Sequence, residues 1–306
     1  MFELVGDDME EIAKRVNWHY VGGASSPADS GTETPAAMTR PDKARDILSC
    51  FSETTMPDEF RPDLVESAGH IRTPEECVVQ GDFEATMFLL AAHDDNVYTG
   101  LRKVMPAGAR AAIFFDKIQR RSAALLAAFD VYRETGAPQN DGIALEVPVV
   151  VAELRTNLRK VQENIYARAP HGAKNAMDTL VTLLRDISNR NYDAFENARW
   201  GRRRPGGETK KDRNLFAQLI GDSDEEPDDF FVLDCLESLP NSILKQWAPQ
   251  LRALHDALQT NGAPASYLRK LQALVTEQQA GSSASGQKKR PATAGGSSSG
   301  GRKRTK

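Results

Sequence analysis

From Asp82 onward, hydrophobic residues recur every three or four positions, the spacing that places them on one face of an α-helix. Phe83, Met87 and Leu90 share such a face. Phe114, Ile118, Leu125, Phe129 and Tyr132 continue a stripe that ends at Gly136-Ala137-Pro138, a helix-stopping sequence. Val147, Val151, Leu154, Leu158, Val161 and Ile165 form the cleanest stripe in the chain. Pro148 fits its first turn, where a missing N–H costs nothing, and Pro170 and Gly172 stand beyond its end. Ala173, Met177, Leu180, Leu184 and Ile187 predict a third helix. Val232, Leu236 and Leu239 suggest a short helix stopping at Pro240. Ile243, Trp247, Leu251, Leu254 and Leu258 mark a longer one closed by Asn261-Gly262, and Tyr267, Leu271, Leu274 and Val275 the last. Convincing strand alternation appears nowhere. The pattern predicts an all-α protein, an irregular antiparallel helical bundle or array with short Gly/Pro connections.

The rest of the chain divides by composition. Residues 1–23 carry Phe2, Val5, Met9, Ile12 and Val16 at helical spacing and read as an N-terminal helical segment. Residues 24–42 are rich in Gly, Ser, Thr and Pro and read as a flexible linker. Residues 43–81 give mixed signals and are expected to be partly helical, with a helix near Pro41–Phe51 and a capping-box spacing at Thr73–Glu76. The helical core is expected over residues 82–198 and 230–280. Residues 199–229 between them form a basic and then acidic loop, and residues 281–306 a disordered basic tail.

Charge sharpens this picture. The net charge of −4 hides seven Lys or Arg against twenty Asp or Glu in residues 1–100, and seven basic residues without an acid in residues 281–306. Three dispersed cysteines, Cys50, Cys77 and Cys235, favour neither a disulfide framework nor a zinc finger, and suit a reducing compartment. The acidic N-terminus lacks the features of a secretory leader, and no apolar run approaches a bilayer span, so a soluble, intracellular protein with no membrane partner is expected. His19, His70, His93, His171 and His255 are far apart, with no ligand partner at helical spacing. A nucleophile elbow, a Cys–His pair at recognisable spacing and a dinucleotide fingerprint are all missing. The expectation is a non-enzymatic protein with no catalytic residue, cofactor or metal.

Two basic runs carry the chemistry. The tail holds Lys288, Lys289 and Arg290, then Pro291 through Gly301, then Arg302, Lys303, Arg304 and Lys306. Two basic clusters across a Gly/Ser-rich spacer resemble the nucleoplasmin-type bipartite nuclear localisation signal. That resemblance implies importin-α as partner and the nucleus as destination. The second run places Arg199, Trp200, Arg202, Arg203 and Arg204 ahead of Lys210, Lys211 and Arg213, an aromatic among cations that suits phosphate contact and base stacking. Arg202–Pro205 resembles an AT-hook, but an arginine replaces its central glycine. The acidic run Asp222–Asp229 follows and can neutralise these cations.

The leading expectation is therefore a non-enzymatic nuclear protein whose helical core binds other nuclear proteins, in a chromatin-associated or transcriptional setting. The alternative is a DNA- or RNA-binding protein of the viral nucleoprotein type, using the basic loop and the tail.

Overall fold

In the computed structural model, the described residues are 38–65, 72–137, 144–196, 200, 208–222 and 229–283. The expected N-terminal helix, most of the linker, Arg199, Arg202–Arg204 and the whole import signal lie outside them. Among the described residues there are ten α-helices and no strand, so the chain is all-α. They are α1 (Arg40–Ser49), α2 (Phe83–His93), α3 (Asp95–Val104), α4 (Ala107–Thr135), α5 (Val147–Ala167), α6 (Ala173–Ser188), α7 (Leu215–Leu219), α8 (Leu233–Glu237), α9 (Asn241–Thr260) and α10 (Ala265–Ser283).

Side-chain caps set several boundaries. Thr39 and Asp42 form a reciprocal capping box at the start of α1, and Pro41 sits in its first turn. Asp82 caps α2 by accepting from the N–H of Ala85. Asp94 accepts from the N–H groups of Asn96 and Val97, which starts α3 and breaks a pattern that the sequence presents as continuous. Helix α4 ends at Gly136, whose φ of 70° lies in the left-handed region that favours glycine. The Trp200 indole lies directly over that glycine: a Cβ there would meet Cδ2 at 2.2 Å. One position therefore stops the helix and seats the indole.

The main core is built on α4, α5 and α6, with the α9–α10 hairpin packed on α6 and the short helices α7 and α8 filling the gaps. Buried Phe115, Ile118, Leu126 and Phe129 on α4 meet Leu154 and Val161 on α5 and Leu180, Leu184 and Ile187 on α6. The stripes on α9 and α10 enter this core as expected, with Trp247 and Ile243 at its margin. Helix α7 went unpredicted. Leu215, Phe216, Ala217 and Leu219 are buried, but five residues are too few to display a helical period.

A smaller core of Ala44, Leu48, Phe60, Cys77, Phe88, Leu89 and Ala91 joins α1, α2 and the turn at Glu75–Cys77. Here the inward face of α2 differs from the sequence pattern. Ala85, Phe88, Leu89 and Ala91 point inward, whereas Phe83 is 78% exposed. Eight of the eleven residues of α2 are apolar, so spacing alone does not select the buried face.

Polar contacts join the small unit to the large one. Met56 enters the main core, and around it Arg121 donates to both carboxylate oxygens of Glu59 at 2.6 and 2.8 Å. Lys160 pairs with Asp58 at 2.8 Å. Buried Lys117 donates to the carbonyls of Ser49 and Thr55 at 2.6 and 2.8 Å, closing the C-terminal end of α1. Arg121 holds the Glu59 carboxyl down at about 2, from an ordinary value of 4.5. A depressed carboxyl stabilises the fold fully above its unfolded value and loses that contribution as pH falls through its folded value. Glu59→Gln should therefore lower the urea midpoint at pH 7, with the gap to wild type closing between about pH 4.5 and 2. A gap that stays constant across that range would show that the Arg121 contact does not hold the two units together.

Candidate anion-binding cleft

Of the basic run that suggested a phosphate site, Trp200, Lys210, Lys211 and Arg213 lie among the described residues, and each is engaged within the fold. Arg213 is 2% exposed and donates from Nε and Nη2 to the two oxygens of Asp193, at 2.9 and 2.5 Å. Its Nη1 lies 3.5 Å from Glu208. It is an internal tie and presents nothing to a phosphate. Trp200 packs against Tyr132 and Phe195 and donates from its indole nitrogen to the carbonyl of Arg133 at 3.1 Å. It is a hydrophobic anchor rather than a stacking platform. Lys210 pairs with Glu196 and Lys211 with Asp222, both at the surface. The masking of the basic half by the acidic half is thus seen at one pair, Lys211 with Asp222.

The structure gathers a different set of cations at the joint between the two units. Its centre is Asp46, on the face of α1 turned toward the large unit and 4% exposed. Arg110, in the first turn of α4, donates from Nη1 to one Asp46 oxygen at 2.6 Å. Arg168, the C-cap of α5, donates from Nη2 to the other oxygen, also at 2.6 Å. Asn164 fixes the Arg168 guanidinium by accepting from Nε at 3.0 Å, and Phe114 lies under its plane, 4.2 Å from the guanidinium carbon. One carboxylate thus serves two guanidinium ions, leaving one positive charge uncompensated within the triad. Arg110 Nε is buried and makes no hydrogen bond, a donor for which an incoming oxygen would be the natural partner.

This triad forms part of the wall of an open cleft of about 500 Å³, within the size range of sites for small ligands. Lys43 of α1 and Arg102 of α3 line it from exposed positions, with Tyr98, Glu163 and His171 completing much of the remainder. The lining groups carry four Lys or Arg side chains against two carboxylates. Backbone polarity acts in the same direction. Ala107 lines the cleft at the start of α4, a 29-residue helix whose N-cap is Pro106 and whose first turn lacks a side-chain cap. The first N–H groups of such a helix have no acceptor within it and favour an anion. Helix α6 also starts without a side-chain cap, at Gly172, next to His171. A Cβ on Gly172, at φ 82°, would meet Phe115 Cε2 at 2.7 Å and Ala111 Cβ at 2.9 Å, so the start of α6 is pressed against the first turns of α4. One uncapped helix start and four basic side chains therefore line one opening.

The neighbouring thiol offers no nucleophile. Cys50 is pushed up to about 12, mainly by burial and further by the Asp46 carboxylate, so it stays protonated at neutral pH. Burial likewise lifts Cys235 to about 12. Among the described residues, no group of three or more His, Cys, Asp or Glu side chains could hold a metal ion. Nor is any helix among them long and apolar enough to cross a membrane. Compared with known proteins, the chain matches no protein-family model, no curated protein and no solved structure.

The site is hidden in the sequence because Lys43 and Asp46 on α1, Arg102 on α3, Arg110 on α4 and Arg168 at the end of α5 come from four elements, and Asp46 and Arg168 stand 122 positions apart. Each is an ordinary charged residue in its local context. Asp46→Ala should destabilise the fold by about 3–5 kcal/mol in urea unfolding, because it leaves two largely buried guanidinium groups facing each other without a counter-charge. A loss below about 1 kcal/mol would mean that water, rather than Asp46, already solvates those arginines.

Proposed function

We propose that this chain is a non-enzymatic nuclear protein that binds the phosphate backbone of nucleic acid, with the Asp46 cleft as its ordered contact and the basic tail as its import signal. The observation that carries this reading is the convergence of Lys43, Arg102, Arg110 and Arg168 on the uncapped start of α4. Phosphate oxygens are recognised by guanidinium forks and helix N-termini because both offer fixed N–H donors within a positive field. Charged groups dominate the cleft lining, so it reads charge and shape rather than base identity. Tail cations Lys288, Lys289, Arg290, Arg302, Lys303, Arg304 and Lys306, together with Arg199 and Arg202–Arg204, would extend the same electrostatic contact.

The cleft reading is tested by fluorescence anisotropy with mixed-sequence DNA and RNA across a salt series. Residues 1–280, which lack the tail cations, should keep salt-dependent binding. Lys43→Glu with Arg102→Glu should weaken it at least tenfold and reduce the slope of log affinity against log salt by about two. Both side chains are exposed, so the double variant should unfold at the wild-type urea midpoint. Unchanged affinity in that variant removes the cleft from the contact. Binding that disappears entirely with the tail assigns all of it to the tail's charge.

Import is tested separately. Replacing Lys289, Arg290, Lys303 and Arg304 by alanine should move a fluorescent fusion from the nucleus to the cytoplasm. Continued nuclear accumulation would show that the tail does not direct the protein there.

A further inference from the structure

Side chains of the small unit leave an apolar groove against its own core, which shares Leu48 and Phe60 with it. Leu48 and Phe51 at the end of α1, Phe60, Phe83 and Met87 on α2, and Leu101 on α3 line an opening of about 270 Å³. Phe83 is 78% exposed and Phe51 56%. Val104, one turn beyond Leu101 on α3, is 42% exposed. Isolated apolar residues are normal on a protein surface, but two phenylalanines flanking a concave apolar strip form a continuous patch. The buried core beneath it is small, a cluster of seven residues among the described ones, and the groove lies open beside it.

The chain supplies a segment of matching form. Phe2, Val5, Met9, Ile12 and Val16 follow one another at intervals of three, four, three and four residues. That period yields a narrow apolar seam two residues wide per seven, the form that enters a groove between helices rather than covering a broad surface. Around the seam stand Glu3, Asp7, Asp8, Glu10, Glu11, Lys14 and Arg15, which remain solvated when the seam docks.

Position favours this segment over any other occupant. The described chain begins at Met38, immediately before α1, and α1 leads directly to Leu48 and Phe51 at the groove. Its ten residues rise only about 15 Å. Residues 17–37 connect the seam to that point, and these twenty-one residues, Gly/Ser/Thr/Pro-rich from Gly22 on, reach about 70 Å when extended and about 25 Å on average as coil. The tether therefore spans the distance without strain and holds the seam at an effective concentration in the millimolar range. A free partner or a second copy would have to compete against that concentration.

We infer that residues 2–16 of the same chain occupy this groove as an amphipathic helix and complete the small unit's core. This inference is independent of the cleft reading, since it concerns a different surface and a different chemistry.

Hydrogen–deuterium exchange of the full chain at low micromolar concentration tests it, with a synthetic peptide of residues 1–21 as reference. Amides of residues 5–16 should exchange at least tenfold more slowly in the full chain than in the peptide. Phe83→Ser on the groove side and Ile12→Asp on the segment side should each return those amides to the peptide's rate. Both should leave α4, α5 and α6 unchanged, because Phe83 is exposed and lies outside the buried cores. Peptide-like exchange in the wild-type chain overturns the inference. So does protection that survives Phe83→Ser, which would place the segment elsewhere, and so does protection that fades on dilution, which would make the occupant a second copy.

Discussion

A single buried carboxylate decides how the two units of this protein sit against each other. Asp46 gives one oxygen to Arg110 and the other to Arg168, and so ties α1 to the beginning of α4 and the end of α5 in one motif. Three charges removed from water are costly, and such a motif adds little net stability compared with apolar packing of the same volume. Its strength lies in geometry. Any shift of α1 along the large unit would strand two guanidinium ions, so only one docking position is permitted. The Arg121–Glu59 and Lys160–Asp58 pairs and the Lys117 hydrogen bonds follow from that position.

Legibility in the sequence tracked the kind of force at work. Where burial alone organised the chain, as on α5, α6, α9 and α10, the apolar period gave both the helices and their inward faces. On α2, almost uniformly apolar, the same rule chose the wrong face, because a segment with Phe83, Met87, Phe88, Leu89 and Leu90 offers several stripes. Helix ends set by local chemistry, such as Gly136 and Pro148, were readable. The cap at Asp94 was not readable, because the apolar pattern runs on across it. Charged residues were the least readable. Arg213 looked like part of an open basic run and proved to be enclosed by Asp193 and Glu208. Arg110 and Arg168 carry no local signal in the sequence, yet they frame the cleft. A linear sequence reports the presence of charge but not the desolvation that gives it consequence.

The two surfaces of the small unit differ in what they could recognise. The cleft offers N–H donors and a positive field, suited to oxygens that carry negative charge. The groove offers hydrocarbon and aromatic edges, suited to an apolar seam. Helices α1 and α3 contribute to both, with Lys43 and Arg102 toward the cleft, and Leu48 and Leu101 toward the groove.

The Asp46–Arg168 contact closes a span of 122 residues, whereas α4, α5 and α6 follow one another directly. Loop closure over such a span is entropically late, and contacts between sequence neighbours form first. The large unit can therefore consolidate before the small one docks, and subglobal opening should run in the opposite order. The cleft comes into being only at that final docking step, so its two walls mature on different timescales: the α4–α5 wall with the bundle, the α1 wall last.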